Sequence, residues 1–562
     1  MARQKKIATY SPKMASLASG VPAASLASGL PASLRERLRS TGGGPLPAPR
    51  EGKAFVLYLL RTTFRAEENP ALETALHAAV ALGVPAVCLA VLEDTFPDRD
   101  GMSAGGALPR RRPTDRATAF RLEALRELGP AFEARGAALY VHVERDGRRE
   151  AAALSLASRA ALAVADDHFG VEPHATAVAR VAAAGAPVWL ADGACTVPAA
   201  VCPAAALSGG NAGFLRATAA ARKKRLDAAG FPRSPPPPPP QFAAPAWAVD
   251  LAPEGAVAAV LAAPSRRDAE VARAAHTPGG PAAALNRWSR YVAAGGLRSY
   301  ASRRNNPLAA ENAGASRMSA YVNAGMIDPL RMARDARSCA KFSSEFCGFR
   351  ESAYVWCLRH PGAYATAAVA VPAWARNQLA RSRSGGAGDA PALGDLEAGR
   401  TGDAFWDDCQ ASLAASGELH NNVRMAWGKA IPAWHGCALA PGADQTPAAR
   451  LQAALDLLVR LNDRFALDGG APPSYGGLLW CLGWRDRPGS NGAPKPRPTS
   501  VMGRRIKPGD LVRRAAKLAA PVAGPPAPRQ TPISAFFKRA PPADAARAAA
   551  KRPRAAAVID LT

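Results

Sequence analysis

Two kinds of hydrophobic pattern alternate between residues 54 and 192 of the chain. Short apolar runs have the length of buried strands, and longer amphipathic stretches have helical spacing. The strand-like runs cover residues 55–60, 87–92, 139–143, 162–165 and 188–190. The helical stretches between them include residues 68–82, 117–133 and 173–184. Strands that alternate with helices in this way predict a five-stranded parallel sheet covered by helices, a Rossmann-like α/β domain.

The turn after the first predicted strand narrows the class of ligand. A parallel sheet of this kind binds ligands at the carboxyl ends of its strands. Residues 60–65 read Leu-Arg-Thr-Thr-Phe-Arg and contain no Gly-x-Gly-x-x-Gly element. A dinucleotide oxidoreductase would place its pyrophosphate on such a glycine-rich turn. The sequence therefore argues against that class of enzyme.

Composition divides the chain around this domain. We predict a disordered basic arm over 1–52, the α/β domain over 53–205, a linker over 206–275, an all-α domain over 276–510 and a disordered basic tail over 511–562. The linker holds six consecutive prolines, residues 235–240. We favour a polyproline II spacer, with a ligand for an SH3-type domain as the alternative. The arm is typical both of an organelle transit peptide and of a nuclear arm, and both stay open.

Charge indicates the class of partner. The chain has 562 residues and a formal net charge of +26, from 71 Lys and Arg against 45 Asp and Glu. This excess favours a polyanion, either DNA, RNA or an acidic membrane surface, although it also serves solubility alone. With 48% hydrophobic residues, the chain is not a fully disordered protein. No apolar run approaches the roughly 18 residues of a membrane helix. Among the polyanions we favour nucleic acid, and we expect no membrane partner.

The cysteines argue against a metal site. All nine are scattered along the chain, and none forms a Cys-x-x-Cys pair. This spacing excludes a zinc module and a disulfide framework, and it favours a reducing compartment.

Polar and aromatic residues concentrate between residues 396 and 480. His420, Asn421, Arg424 and Trp427 fall at helical spacing, so one helix face would offer an amide, a guanidinium and an indole together. Arginine with asparagine suits a diphosphate or the edge of a heteroaromatic ring.

Three tryptophans form a second pattern in the same region. Trp427 and Trp434 are about two helical turns apart, and Trp406 lies on the predicted preceding helix. Indoles stacked in a row offer a path for electron hopping. The alternative is that tryptophans at helical spacing belong to the core.

Several blocks of this region resemble one family. They are Thr401-x-Asp403-x-x-Trp406, Arg424-Met425-x-Trp427-x-Lys429 and residues 461–469, Leu-Asn-Asp-Arg-Phe-Ala-Leu-Asp-Gly, with Phe465 in place of a Tyr. Further matching blocks are residues 61–72, 316–321, 341–351 and 372–375. Together they resemble the photolyase/cryptochrome superfamily and are most similar to class II cyclobutane pyrimidine dimer photolyases. The resemblance covers roughly residues 53–510.

The resemblance implies a fold, a cofactor and a reaction. The α/β domain would be an antenna domain, and the helical domain would bind FAD. The implied enzyme is a carbon–carbon lyase that acts on UV-damaged DNA. Electron transfer from reduced FAD to a flipped-out cyclobutane dimer would split the dimer in light. We expect a monomer. The antenna pigment, of folate or deazaflavin type, stays open, as does the distinction from (6-4) lesions.

The resemblance also assigns roles to single residues. It places Ser316 and Ser319 at the flavin phosphates, and Arg350, Asn421, Arg424 and Asp468 at the flavin. Glu351 would bind the base edge of the dimer, and Met425 would line the dimer pocket. Trp427, Trp406 and Trp434 would form the photoreduction chain, with Trp427 nearest the flavin. For Trp480, a wall of the substrate pocket and a place in the core stay equally open.

Some positions depart from the family pattern. Pro473 stands where the family has an Asn that faces flavin N5, and Ala471 replaces an acid. Proline has neither a side-chain amide nor a backbone N–H. A Val322-Asn323 pair stands where Leu-His is usual. These changes keep open a cryptochrome-type blue-light photoreceptor that does not repair DNA.

The tail carries short motifs of its own. Gln530, Ile533, Phe536 and Phe537 fit a PIP box, which docks on the sliding clamp PCNA. A SUMO-interacting motif is matched by Val558, Ile559 and Leu561. Residues 551–554 read Lys-Arg-Pro-Arg, as in a nuclear import signal. They favour a nuclear protein, and they keep a third function open, a PCNA-docked DNA-binding scaffold.

Overall fold

The computed structural model describes residues 23–96, 112–381, 391–434, 446–486, 500–501 and 504–519. The chain divides into two compact units, Met1–Ala519 and Ala520–Thr562. All of the described residues belong to the first unit.

A six-stranded sheet forms the centre of the α/β domain. Its strands are β1 (Leu38–Ser40), β2 (Phe55–Leu60), β3 (Ala86–Leu92), β4 (Ala137–Val143), β5 (Ala160–Asp166) and β6 (Val188–Ala191). Their order across the sheet is β1-β6-β5-β2-β3-β4, and β2 to β6 pair in parallel. All six residues of β2 are buried, as expected for a central strand covered on both faces. The predicted α/β fold class and its five parallel strands are confirmed.

The sixth strand differs from the prediction. We predicted a disordered arm over 1–52, but its residues 23–40 form α1 (Ala23–Gly29), α2 (Ala32–Arg35) and β1, which pairs antiparallel with β6. Leu26, Leu30 and Leu34 are buried, although the surrounding composition is rich in Ala and Ser. The guanidinium of Arg37 donates to the carbonyls of Asp192 and Cys195, each at 2.9 Å. These contacts fix residues 23–40 against the sheet.

Helices cover both faces of the sheet. They are α3 (Pro70–Leu82), α4 (Asp115–Glu133), α5 (Ala152–Arg159) and α6 (His174–Ala183). Helix α3 has clear signals at both ends, because Asn69 accepts hydrogen bonds from the backbone of Ala71 and Leu72, and Gly83 follows in the left-handed conformation.

The predicted linker is packed against the α/β domain and is not a free spacer. It contains α7 (Gly210–Asp227) and α8 (Ala256–Ala262). The proline run passes so close to Gly136 that a Cβ there would lie 3.0 Å from Cβ of Pro236. Further along, the backbone N–H of Val249 donates to the carbonyl of Val141 in β4 at 2.8 Å.

The second domain is helical. Its α-helices are α9 (Pro281–Ala293), α10 (Gly296–Arg303), α11 (Ser319–Asn323), α12 (Pro329–Asp335), α13 (Ala340–Ser343), α14 (Glu351–Arg359), α15 (Ala367–Ala370), α16 (Ala373–Arg381), α17 (Leu393–Ala398), α18 (Ala404–Ser416), α19 (Asn421–Ala430), α20 (Pro447–Phe465), α21 (Pro472–Cys481) and α22 (Asp510–Ala519). A π-helix of this domain spans Ser344–Arg350, and its 3₁₀ turns span Ala363–Ala365 and Ile431–Trp434. Two further 3₁₀ turns, Ala199–Val201 and Ala204–Leu207, follow β6. Strands β7 (Ser500–Val501) and β8 (Arg504–Arg505) form a short antiparallel pair. None of the described helices combines the length and apolar character needed to cross a bilayer.

Candidate functional site

A cavity of about 310 Å³ lies in the helical domain, a size within the usual range of ligand pockets. All six residues predicted to bind a cofactor line it: Ser316, Ser319, Arg350, Asn421, Arg424 and Asp468. They come from the start of α11, the end of the π-helix, α19 and the loop after α20. The structure therefore brings together positions that are more than 150 residues apart in the chain.

A buried ion pair forms part of the cavity wall. Nη2 of Arg424 lies 2.7 Å from Oδ1 and 3.0 Å from Oδ2 of Asp468. Nη1 of Arg424 donates to Oδ1 of Asn462 and to Oγ of Ser474, each at 3.1 Å. The guanidinium is therefore held in one orientation by three side chains. The sequence motifs place Arg424 and Asp468 at one site, but they do not indicate this ion pair, nor the roles of Asn462 and Ser474, which hold Arg424 in place.

A second ion pair lies in the same wall. Arg317 donates from Nε to Glu418 at 2.6 Å and from Nη2 at 3.0 Å. Burial raises the pKa of Glu418, but the ion pair with Arg317, followed by Arg287 and Thr277, outweighs burial and lowers it to about 2. Arg317 adopts a left-handed backbone with φ 57° between the two serines. The sequence does not single out Glu418, because its partners come from distant segments.

Arg350 joins the cavity to the α/β domain. It donates from Nη1 to the carbonyl of Ala194 at 2.8 Å and stacks over Phe346 and Tyr354, with 5.1 and 4.9 Å from Cζ to the ring centroids. Its Nε is buried without a hydrogen-bond partner among the described residues. The π-helix that ends at Arg350 is a local irregularity of a kind often found at functional sites.

Glu351 takes a different position from the one predicted. It is not among the residues that line the cavity, and it is 1% exposed. Its carboxylate accepts hydrogen bonds from the backbone N–H of Thr196 at 2.8 Å and from Oγ1 of Thr196 at 2.9 Å. Burial raises the pKa of Glu351. In this geometry the carboxylate links the two domains and does not face the cavity.

Met425 and Trp480 are likewise absent from the lining of this cavity. Met425 is 7% exposed, and its Sδ lies 4.0 Å from Sγ of Cys481. Trp480 packs against Phe349 with 5.7 Å between ring centroids, and its indole nitrogen is buried without a partner among the described residues. Both side chains belong to the packing around α21.

The three predicted tryptophans form a continuous row. Trp427 lies on α19, one turn beyond Arg424, and stacks on Trp406 with 6.1 Å between centroids and 11° between planes. Trp406 meets Trp434 edge-on at 5.3 Å. Trp406 and Trp427 are fully buried, and Trp434 is partly exposed. The row therefore runs from the helix of the cavity wall toward the surface.

The departures noted in the sequence concentrate at the cavity. Pro473, in the first turn of α21, lines it, and so do Val322 and Asn323. Ala471 precedes α21 and lines a neighbouring crevice instead. No hydrogen-bond donor is available from Pro473 at this wall.

That crevice, of about 90 Å³, lies at the carboxyl ends of the strands, as expected for this sheet. Asp166 at the end of β5 shapes it, since one oxygen accepts hydrogen bonds from the backbone N–H groups of Arg61, Thr62 and Thr63. His174 lines the crevice, and its pKa is lowered well below its usual value by burial and by nearby arginines.

One cavity residue comes from the predicted tail. The tail was expected to begin at residue 511, but residues 510–519 form α22, and Arg514 lines the cavity. The neighbours of Arg514 in the sequence are also basic, so composition alone does not distinguish this cavity residue from a disordered basic tail.

The donor set of the cavity fits an anionic, partly aromatic ligand such as FAD. Arg317 and Arg424 are paired with Glu418 and Asp468, whereas Arg350 and Arg514 have no carboxylate partner among the described residues. Phosphates would balance these two charges. Across the described ranges, no group of three or more His, Cys, Asp or Glu is arranged to hold a metal.

The motifs predicted to bind PCNA and SUMO, at 530–537 and 558–561, lie outside the described residues.

No family model matches the chain. A deoxyribodipyrimidine photo-lyase of Methanothermobacter thermautotrophicus is 27% identical over 466 residues, which cover 80% of this chain and 91% of that protein. The fold resembles a photolyase from Sulfolobus tokodaii whose crystal structure holds two FAD molecules, with a TM-score of 0.51, 13% identity, and 83% and 89% coverage. It also resembles the Synechocystis cryptochrome, with a TM-score of 0.52, 12% identity, and 83% and 86% coverage.

Proposed function

The chain belongs to the photolyase/cryptochrome superfamily, and on that premise we propose that it is a light-driven DNA photolyase with FAD as its cofactor. The proposal extends to class II-like repair of cyclobutane pyrimidine dimers. The class rests on the sequence blocks around Trp406, Arg424 and Asp468.

The observation that carries the proposal is the tryptophan row beside the cavity. Core tryptophans need only bury their rings, but these three are in sequential contact from Trp427 through Trp406 to the partly exposed Trp434. The indole N–H of Trp406 donates to the carbonyl of Trp427 at 3.0 Å, which fixes their mutual orientation. Such a row offers a path for an electron between the surface and the cavity.

The cavity residues would bind and orient the cofactor. Bound FAD would supply the light-driven electron that splits the dimer. Arg424 and Asp468 present a fixed pair of hydrogen-bonding groups to a polar ring edge, and Ser316 and Ser319 present hydroxyls to phosphate. The helical packing around α19, where Val423 and Ala426 are buried, excludes water from one side of the cavity.

DNA is the substrate that the charge favours. A net charge of +26 supplies salt-dependent affinity for the phosphate backbone. A dimer is poorly stacked, so flipping it out of the duplex costs less than flipping a normal base. Affinity would then be electrostatic, and selection of the lesion would come from this lower cost.

A cryptochrome-type photoreceptor is the second candidate, and two observations favour it. Pro473 lines the cavity without a donor, at a position where the family has an Asn. Glu351, expected to bind the dimer, is engaged by Thr196. This alternative shares the cofactor and the tryptophan row and lacks only the repair step.

The test is repair of a defined lesion. Purified protein is reduced, mixed with an oligonucleotide that carries one cyclobutane dimer, and illuminated with blue light, and loss of the dimer is followed by chromatography. A dark sample and an oligonucleotide with a (6-4) lesion serve as controls. We expect light-dependent loss of the cyclobutane dimer alone. Intact dimers together with a flavin that photoreduces would favour the photoreceptor.

The tail extends the proposal to partners and location. We propose a nuclear protein whose PIP box docks on PCNA and whose last residues bind SUMO. A peptide of residues 525–545 should bind PCNA, and replacing Phe536 and Phe537 with Ala should abolish binding. Binding that survives this change would rule out the PIP box.

A further inference from the structure

Helix α22 connects the basic end of the chain to the cavity. Asp408 of α18 accepts hydrogen bonds from the backbone N–H groups of Leu511 and Val512, each at 3.1 Å. Leu511 and Ala515 are 4% and 2% exposed. These contacts dock α22 on α18, the helix that carries Trp406. They also fix the orientation of α22, and with it the positions of the residues between Leu511 and Ala515.

Arg514 lies on this helix and lines the cavity. Its Nε is buried, and the described residues offer that atom no hydrogen-bond partner. Burial, and then the nearby charge of Arg317, lower the pKa of Arg514, while Glu418 and Glu311 act in the opposite direction. A desolvated guanidinium next to a second one is an unfavourable arrangement unless an anion balances it.

The groups around Arg514 do not supply that anion. Glu418 is already bonded to Arg317 through two hydrogen bonds. Glu311 is 43% exposed and also pairs with Arg317, at 3.7 Å. Burial lowers the pKa of His420 to about 4, and the positive charges of Arg514 and Arg304 act in the same direction. The hydrogen bond between His420 and the backbone carbonyl of Arg304 acts in the opposite direction and raises this pKa, but by less. His420 is therefore neutral at pH 7, and Arg514 is the uncompensated cation of this group.

Serine hydroxyls complete a candidate anion site. Ser316 and Ser319 line the same cavity on either side of Arg317, and their hydroxyls donate to no acceptor within the described part of the chain. Arginine with hydroxyl donors is a common arrangement for phosphate, because the guanidinium offers two parallel donors and a full charge.

We propose that Arg514 binds the diphosphate of the flavin dinucleotide together with Ser316 and Ser319. The inference rests on the proposed function, since it presupposes FAD in this cavity. It makes α22 a structural part of the cofactor site, although the sequence places the helix in a basic tail. Holding the cofactor would then require that α22 remain docked on Asp408.

The test compares two neighbouring arginines in the full-length chain. Arg514→Ala removes the proposed contact. Arg513→Ala is the matched control, because the Arg513 side chain is 62% exposed and its contacts are local, an ion pair with Asp510 and a hydrogen bond to the carbonyl of Pro508. The dissociation constant for FAD is measured by quenching of flavin fluorescence. We expect Arg514→Ala to weaken FAD binding about tenfold to a hundredfold, the usual worth of a charged hydrogen bond, and Arg513→Ala to leave it unchanged.

Two further measurements separate a phosphate contact from a structural role. Inorganic pyrophosphate should compete with FAD in the wild-type protein and lose that effect in Arg514→Ala. Arg514→Lys keeps the charge, so it should lose less affinity than Arg514→Ala. The unfolding midpoints of the cofactor-free variants should equal that of the wild type.

The outcomes are distinct. Unchanged FAD affinity in Arg514→Ala overturns the inference and leaves the proposed function standing. A loss of affinity that accompanies a lowered unfolding midpoint, with pyrophosphate competition intact, also overturns it, because the arginine then acts through the fold. A wild-type protein that binds no FAD refutes the proposed function, and the inference falls with it.

Discussion

The charge on Glu418 should contribute about 3 kcal/mol to the free energy of unfolding. The side chain is 18% exposed and holds Arg317, Arg287 and Thr277, and its pKa is about 2 against an ordinary value of 4.5. At about 1.4 kcal/mol for each pKa unit, this difference gives the figure above. Glu418→Gln removes the charge and keeps the shape of the protonated acid. The free energy of unfolding of the variant at pH 7 should therefore be lower by about 3 kcal/mol.

The pH dependence fixes the sign of the effect. Because the folded-state pKa of Glu418 lies below the unfolded one, the contribution is complete above about pH 4.5 and is lost as the pH falls toward 2. The stability difference between wild type and Glu418→Gln should therefore be constant from pH 7 to 5 and should decrease below pH 4.5.

Thermal unfolding measures the difference. With an unfolding entropy of about 2 cal/mol/K per residue, a unit of about 500 residues loses about 3 °C of melting temperature for 3 kcal/mol. Glu311→Gln is the control, since Glu311 also faces Arg317, at 3.7 Å, but is 43% exposed. Glu311→Gln should lower the free energy of unfolding by less than about 1 kcal/mol, and the melting temperature by less than about 1 °C. Equal effects of the two variants at pH 7 would refute the argument from burial.

Three further changes test the site. Trp406→Phe interrupts the row between its neighbours at 6.1 and 5.3 Å, so blue light should reduce the bound flavin more slowly, as followed by absorbance, whereas Trp480→Phe should not change the rate. Asp408→Ala removes both hydrogen bonds that the Asp408 carboxylate accepts from the first turn of α22. The docking of α22 should then lose about 1 kcal/mol of free energy, and backbone hydrogen exchange in residues 510–519 should become about fivefold faster. Unchanged exchange would contradict the docking. Pro473→Asn adds an amide at the cavity wall and should shift the reduction potential of the bound flavin, measured by spectroelectrochemistry; an unchanged potential would place this position away from the ring.

The α/β domain was predictable because its strands are buried on both faces. Residues 55–60 are six apolar residues in a row, and the structure forms β2 over the same six. The predicted helices agree with α3, α4 and α6 to within two residues at each end. Strand β1 was missed because three residues give no periodicity, and its pairing depends on Arg37 reaching Asp192.

The residues that line the cavity were predictable for a different reason. Ser316, Arg424 and Asp468 lie in short linear motifs, so their types and spacing are visible in the sequence. Glu351 also lies in a motif, yet its side chain bonds to Thr196, more than 150 residues away, and spacing along the chain cannot indicate which partner a carboxylate takes. Arg514 was missed because packing, rather than composition, distinguishes it from Arg513.

The contacts of the arm and linker also determine how the sheet meets its surroundings. An open parallel sheet ends in strands with unpaired backbone groups, which invite pairing with other molecules and aggregation. Here β1, an antiparallel strand of only three residues, covers β6 and leaves a short edge. At the other edge Val249 bonds to β4, and Trp247 packs edge-on against Tyr140 and His142. Removing residues 23–40, or shortening the proline-rich segment, would therefore increase aggregation even where the helices that line the cavity are unchanged.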